Sequence, residues 1–101
     1  MQLSEAQKKY LRGLGHGLKP TVMIGDSGLS ASLLQEFDST LSHHELIKVS
    51  VRVGDRQARD TIIQTLCERS DAVLVQRIGN VALLYRDNPE KKKNKLVLPR
   101  R

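Results

Sequence analysis

Two β-prone runs, Val73–Ile78 and Val81–Arg86, are separated by only Gly79-Asn80. A two-residue gap of this kind is a strong hairpin signal, because glycine accepts the positive φ that a tight antiparallel turn needs. The chain must therefore contain a sheet with an antiparallel pair near its C-terminal side. Pairing across the turn sets Ile78 beside Val81, Gln76 beside Leu83 and Leu74 beside Tyr85 on one face. Arg77 with Ala82 and Val73 with Arg86 share the other. Two helices are expected over the first face, and the first helix over part of the second, which mixes aliphatics with arginines.

Three helical patterns precede the hairpin. Ser4-Glu5-Ala6-Gln7 has the form of a capping box, and Ala6, Tyr10 and Leu14 recur at fourfold spacing with Leu3 and Leu11 nearby. This predicts a helix to about residue 14, with Lys8, Lys9, Arg12 and His16 on its opposite face. Gly13, Gly15 and Gly17 weaken and end it, and Lys19-Pro20 forces an extended start to a short strand, Thr21–Ile24. Leu29, Leu33, Phe37 and Leu41 mark a second helix over about 30–42. From Glu45 to Val53 the chain alternates: Ile47, Val49, Val51 and Val53 point one way, and Lys48, Ser50 and Arg52 the other. Asp55 can cap a third helix whose buried side holds Ala58, Ile62 and Leu66.

The order is α-β-α-β-α-β-β, an α/β chain. Strands joined through helices should run parallel and the hairpin antiparallel, giving a mixed four-stranded sheet with three helices. At 101 residues the chain is one domain, with a body over 1–86. Residues 87–101, with Asn88-Pro89, a lysine run and Pro99, read as an extended or disordered basic tail. No apolar run reaches the roughly 18 residues of a membrane span, and the N-terminus lacks signal-peptide order. The single Cys67 excludes an internal disulfide framework and fits a reducing compartment, so a cytoplasmic protein without membrane contact is expected.

The net charge of +6 is unevenly placed. Residues 87–101 hold six cations against Asp87 and Glu90, or +4; residues 1–20 hold four against Glu5, or +3; the middle is left at −1. Basic ends on a near-neutral body suggest two arms around a polyanion, or simply a solubilising surface. The turn Gly25-Asp26-Ser27-Gly28 lies between a strand and a helix start. Its glycines permit close backbone approach, and the helix start offers unpaired N–H groups, an arrangement that suits a phosphate. Without a ligand it is a tight turn and nothing more. The basic ends and this turn are expected to converge on one side of the body.

Other chemistry fails on context. Gly13-Leu14-Gly15-His16-Gly17 follows a helix rather than a strand, so it is no dinucleotide fingerprint. His43 and His44 are adjacent and cannot chelate one metal from one helix face, and Cys67 is distant from both; no metal and no cofactor is expected. Cys67 sits beside Leu66 in a helical stretch and reads as packed rather than nucleophilic. With only Tyr10, Phe37 and Tyr85 aromatic, a base-stacking platform is nearly absent.

Leu11-Arg12-Gly13-Leu14 with His16, Leu18-Lys19-Pro20, Ile24 through Ser30, His43 through Val49, Gln76 through Asn80 and Leu84-Tyr85-Arg86 occur in that order. Together they resemble the YhbY proteins, the stand-alone bacterial form of the CRM (chloroplast RNA splicing and ribosome maturation) domain, over nearly the whole chain. The resemblance implies an RNA-binding, non-enzymatic domain associated with precursors of the large ribosomal subunit. It also implies a fold like the C-terminal domain of translation initiation factor three. It maps the family's GxxG loop, similar in use to that of KH domains, onto Gly25, Asp26, Ser27 and Gly28. KH-type loops usually carry a basic middle residue. Asp26 would repel phosphate, so Ser27, backbone amides and neighbouring basic surface must make the contact.

The expected partner is thus ribosomal RNA, gripped by the GxxG turn, by Lys8, Lys9, Arg12, His16 and Lys19, and by Lys91, Lys92, Lys93 and Lys95. Ribosomal proteins are a further expected partner class. The alternative is an adapter that docks on ribosomal or assembly proteins through an exposed strand edge.

Overall fold

The fold is described by a computed structural model over residues 2–100; Met1 and Arg101, counted above with the basic ends, lie outside them. The helices start at side-chain caps, two of which, Ser4 and Asp55, are those expected from the sequence. Ser4 accepts from the Gln7 amide and the Gln7 side chain returns a bond to Ser4, a complete capping box for α1 (Glu5–Gly15). Ser30 caps α2 (Ala31–His44), and Asp55 caps α3 (Arg56–Ser70). Between them run β1 (Pro20–Ile24) and β2 (Leu46–Val51), followed by β3 (Val73–Ile78) and β4 (Val81–Tyr85). The sheet order is β1-β2-β4-β3, with β1 and β2 parallel and both neighbours of β4 antiparallel to it. The α-β-α-β-α-β-β order and the mixed sheet are those read from the sequence.

One core lies between the sheet and α2 and α3. Ile47, Val49 and Val51 of β2 share it with Val22 and Ile24 on one side and Ala82 and Leu84 on the other. Phe37, Leu41, Ile63 and Leu66 fill it from the helices. A smaller cluster on the opposite face joins Leu11 of α1 to Leu46, Val75, Leu83 and Tyr85. The two faces are therefore covered the other way round from the sequence reading: Leu83 and Tyr85 lie under α1, and Ala82 and Leu84 under the helix pair. The β2 aliphatics explain this, because the register carries their all-apolar face onto Ala82 and Leu84. Two amphipathic helices cover that broader surface better than one.

Three local expectations also change. A bulge between Leu74 and Gln76 shifts the hairpin, so Val73 pairs with Tyr85 and Leu74 with Leu84, while Gln76, Arg77 and Ile78 keep the expected partners. The extra residue turns Val75 into the α1 cluster. In α3 the fully buried positions are Ile63 and Leu66, with Ala58 and Ile62 only partly covered. In α1 the buried line is Leu11 and Gly15, while Tyr10 and Leu14 stay exposed. Gly15 permits this contact: a Cβ there would stand 2.7 Å from Leu83 Cδ2.

Residues 87–100 form neither helix nor strand, yet they dock on the body. Leu96 and Leu98 pack on the α1 cluster, and Gln7 Nε2 donates to Pro99 O at 2.8 Å. The anchor is Glu45, the C-cap of α2, held at φ +65 with no solvent exposure. Its carboxylate accepts from the amides of Asn88 and Leu96 and from Lys95 Nζ. Burial pushes this carboxyl up, but those three donors outweigh it and hold Glu45 below its ordinary range. Arg86, at the end of β4, ties the same corner to Asp38 and Ser42 of α2 and to Ser70 of α3.

Candidate nucleic-acid interface

β1 and β2 finish side by side: Ile24 pairs with Val51, and the Arg52 amide donates to Ile24 O at 2.7 Å. The Val51 amide donates to Asn80 O at 2.7 Å, bringing the hairpin turn to the same end. Three turns, over residues 25–28, 52–55 and 79–80, thus border one end of the sheet. In the first, the Gly28 amide closes onto Gly25 O at 2.9 Å, and Gly28 has φ +73. Only glycine takes that conformation without strain. Gly25, Asp26 and Ser27 are exposed, and among the described residues the amides of Asp26 and Ser27 make no hydrogen bond within the protein. Ser30 follows as the N-cap of α2, accepting from the Leu33 amide, so the positive pole of that helix stands just behind the turn. The corner is open to solvent, and a Cβ built on Gly25 or Gly28 would meet nothing within 4 Å.

The sequence-named cations fall into two groups. At 3.6 residues per turn, Lys8, Arg12 and His16 lie on one flank of the buried Leu11–Gly15 line, with Lys9 on the outer side, and Tyr10 and Leu14 on the other flank. Lys9, His16 and Lys19 are exposed, Arg12 is half-buried, and Lys8 stands 3.9 Å from Glu5. The tail lysines begin at the opposite end of the sheet from the glycine turn. There Asn88 Nδ2 donates to Ser42 O at 2.9 Å, and Lys91 shares a shallow recess with His43. The six residues of β2 separate the two places, roughly 17 Å at about 3.3 Å per residue. The expected convergence of tail and turn on one side is therefore corrected: they occupy opposite ends. Lys92 and Lys93 are free to meet a ligand, but Lys95 already serves Glu45, Asp87 and the Asn88 carbonyl. Those carboxylates raise its pKa above the ordinary lysine value.

The cations nearest the glycine turn are ones the sequence reading passed over. Arg52 follows β2 directly, Arg56 and Arg59 lie on the first turns of α3, and Arg77 of β3 reaches the hairpin turn, its Nε 3.3 Å from Gly79 O. They were hidden in a segment whose charges sum to −1. Summing along the chain hides what the fold gathers at one end of the sheet.

Cys67 is half-buried and packs on the core; burial and then Glu68 push its thiol up, away from the thiolate a nucleophile needs. His43 and His44 sit edge to face at the exposed end of α2. Among the described residues no group of three His, Cys, Asp or Glu side chains could hold a metal ion, and no helix is long and apolar enough to cross a membrane.

An RNA-binding protein of Haemophilus influenzae is 43% identical over 99 residues, covering 98% of this chain and 97% of its own. A protein of Pseudomonas aeruginosa named a probable RNA-binding protein is 42% identical over 94 residues, covering 93% and 90%. The solution structure of a hypothetical protein from Staphylococcus aureus superposes with a TM-score of 0.77 at 37% identity, covering 97% of this chain and all of its own. Residues 3–86 match the CRS1 / YhbY (CRM) domain. With that match spanning the helices, the sheet and the glycine turn, the chain belongs to the CRS1/YhbY (CRM) domain family.

Proposed function

We propose that this protein binds RNA, specifically ribosomal RNA in precursors of the large subunit, as an assembly factor without catalysis of its own. The observation that carries the reading is the open Gly25–Gly28 corner, with the unpaired amides of Asp26 and Ser27 a few residues before the start of α2 and Arg52 alongside. The names of the Haemophilus and Pseudomonas relatives support RNA as the ligand class. The ribosomal target rests on the family resemblance. In this reading Gly25, Ser27 and Gly28 let a phosphate approach the backbone, while Lys8, Lys9, Arg12, His16 and Lys19 supply a second surface. Lys91, Lys92 and Lys93 supply a third. With few aromatics, affinity comes mainly from charge, and engaging about five phosphates gives a salt slope near −3.5 to −4.5.

The test pairs a contact with a target. Ser27→Asp adds repulsion at an exposed position, so it should weaken RNA binding without changing the melting temperature; unchanged affinity would remove the turn from the interface. Crosslinking in growing cells followed by sequencing of attached RNA should recover large-subunit precursor sequences. Recovery of unrelated transcripts alone would end the ribosomal assignment.

A second reading, docking on a protein, is favoured by one feature. Met23 and Ile78 stand 58% and 68% exposed at the two ends of a row that crosses all four strands through Ser50 and Val81. Binding to ribosomal proteins that survives nuclease treatment would support it.

A further inference from the structure

At the hairpin side of the loop-bearing sheet end lies a recess of about 360 Å³ lined by Arg56, Arg59, Arg77 and Gly79. Arg56 and Arg59 are three residues apart and share a face of α3. Both stand at the positive pole of that helix, whose first turn contains no acidic residue. Cations at that pole are disfavoured, so the chain places two where an anion would be stabilised by charge and helix dipole together. Arg77 is paired with Asp60 through one terminal nitrogen and with Gly79 O through Nε. Asp55 turns to the Ala58 amide at 3.2 Å as the helix cap. Among the described residues the lining of the recess thus holds three guanidinium groups and no carboxylate, Asp60 lining the neighbouring recess beyond Arg77. Arg59 adds a second observation: its Nε is buried and has no hydrogen-bond partner. Orphaned buried donors are rare in folded proteins and point to a missing acceptor.

We infer that this recess is a phosphate-binding site that takes an internal phosphodiester of the RNA strand lying on the Gly25–Gly28 turn. The inference rests on the RNA-binding reading above. The strand order puts the hairpin turn two to three strand spacings from β1, about 10–14 Å across the sheet end. Arg52 stands between, its amide bonded to Ile24 O. One strand can thus follow the sheet end from bare backbone, past Arg52, to a guanidinium fork. Arginine suits that last position because its planar donors match phosphate oxygens in pairs.

The full chain would be titrated with ribosomal RNA fragments bearing 5′-hydroxyl ends and, in parallel, with the same fragments 5′-phosphorylated, across a range of salt. Arg56→Gln/Arg59→Gln should lower affinity roughly tenfold, as loss of charge-assisted bonds implies. The salt slope should flatten by about 0.7–0.9 for one lost phosphate. Arg56→Lys/Arg59→Lys should keep the slope but recover only part of the affinity. Thermal melting should be unchanged or raised in the glutamine variant, because it relieves the helix pole. If the wild-type chain binds no RNA, this site and the proposed function fall together. If Ser27→Asp weakens binding while the glutamine variant keeps both affinity and slope, the recess alone is overturned. A loss seen only with 5′-phosphorylated fragments would also overturn it, by assigning the recess to chain ends.

Discussion

Lys95 Nζ lies 2.9 Å from Glu45 Oε2, joining a tail residue to a carboxylate that has no exposure to solvent. Fifty positions separate the two in sequence, and the contact turns a lysine-rich tail into a strap across the α1 side. Glu45 also accepts from the Asn88 and Leu96 amides, so both of its oxygens are engaged. Glu45→Gln keeps the shape but puts an amide NH2 among three donors. Leaving the amides that donate to the buried Glu45 carboxylate without their charged acceptor costs about 1–3 kcal/mol. A loss of that order in urea unfolding is expected; a loss near zero would mean the strap contributes nothing to the fold.

The same contact sets a pH dependence. Glu45 is held below its ordinary value of 4.5, so its contribution is complete above that value. It is lost as pH falls through the lower, folded value. Lys95 is raised above 10.5 by Asp87 and Glu45, so its contribution is complete below 10.5 and is lost as pH rises through the folded value. The stability difference between wild type and Glu45→Gln should be flat at neutral pH and shrink in acid. Urea midpoints measured from neutral pH downward check this, and a difference that grows in acid would contradict it.

Two glycines of α1 make opposite predictions. Nothing lies within 4 Å of a Cβ built on Gly13, so Gly13→Ala should stabilise by up to about 1 kcal/mol through helix propensity. At Gly15 the same atom meets Leu83 Cδ2 at 2.7 Å, in a cluster where Leu83 is buried. Overpacking of this kind costs about 1–3 kcal/mol, so Gly15→Ala should lower the melting temperature where Gly13→Ala raises it. Equal shifts in the two variants would show that α1 does not rest on Leu83.

Asp26 puts an acidic side chain on the turn proposed above to meet RNA, exposed where its own amide and that of Ser27 are unpaired. Asp26→Lys replaces repulsion by attraction at one phosphate. RNA affinity should rise, and the salt slope should steepen by about 0.7–0.9 per added phosphate contact. Filter binding at several salt concentrations reads both quantities, and a weaker complex would place the turn's phosphate elsewhere.

The elements were legible because their signals are local: Ser4 and Asp55 cap their own helices, the Leu29–Leu41 stripe marks α2, and Gly79-Asn80 makes its own turn. What escaped depends on partners distant in sequence. The bulge at Val75 follows from packing against α1, and the choice of Leu11 and Gly15 over Tyr10 and Leu14 follows from the position of Leu83. Glu45 looks like the first residue of an alternating strand, and nothing near it in sequence announces Lys95 or Leu96 as its partners. The candidate interface was half visible in the same sense. The glycine turn carries its own conformational signature, but Arg52, Arg56, Arg59 and Arg77 reach that end only through the strand order.

The tail separates into an anchoring part and a largely exposed lysine run, the latter proposed above as an RNA contact. Deleting residues 91–101 removes Lys95, Leu96 and Leu98 as well as the lysine run, so it damages the α1 cluster along with any RNA contact. Substituting Lys91, Lys92 and Lys93 together by glutamine leaves the anchor in place, since Lys92 and Lys93 are exposed and Lys91 Nζ donates to the Asn94 carbonyl rather than to Glu45. The triple variant should keep its urea midpoint. Its affinity should fall for all RNA sequences alike, because phosphate contacts position a protein without reading bases. The salt slope should flatten by about 2 if three single-strand phosphates are lost. A loss confined to one RNA sequence would show instead that the lysine run reads a particular site.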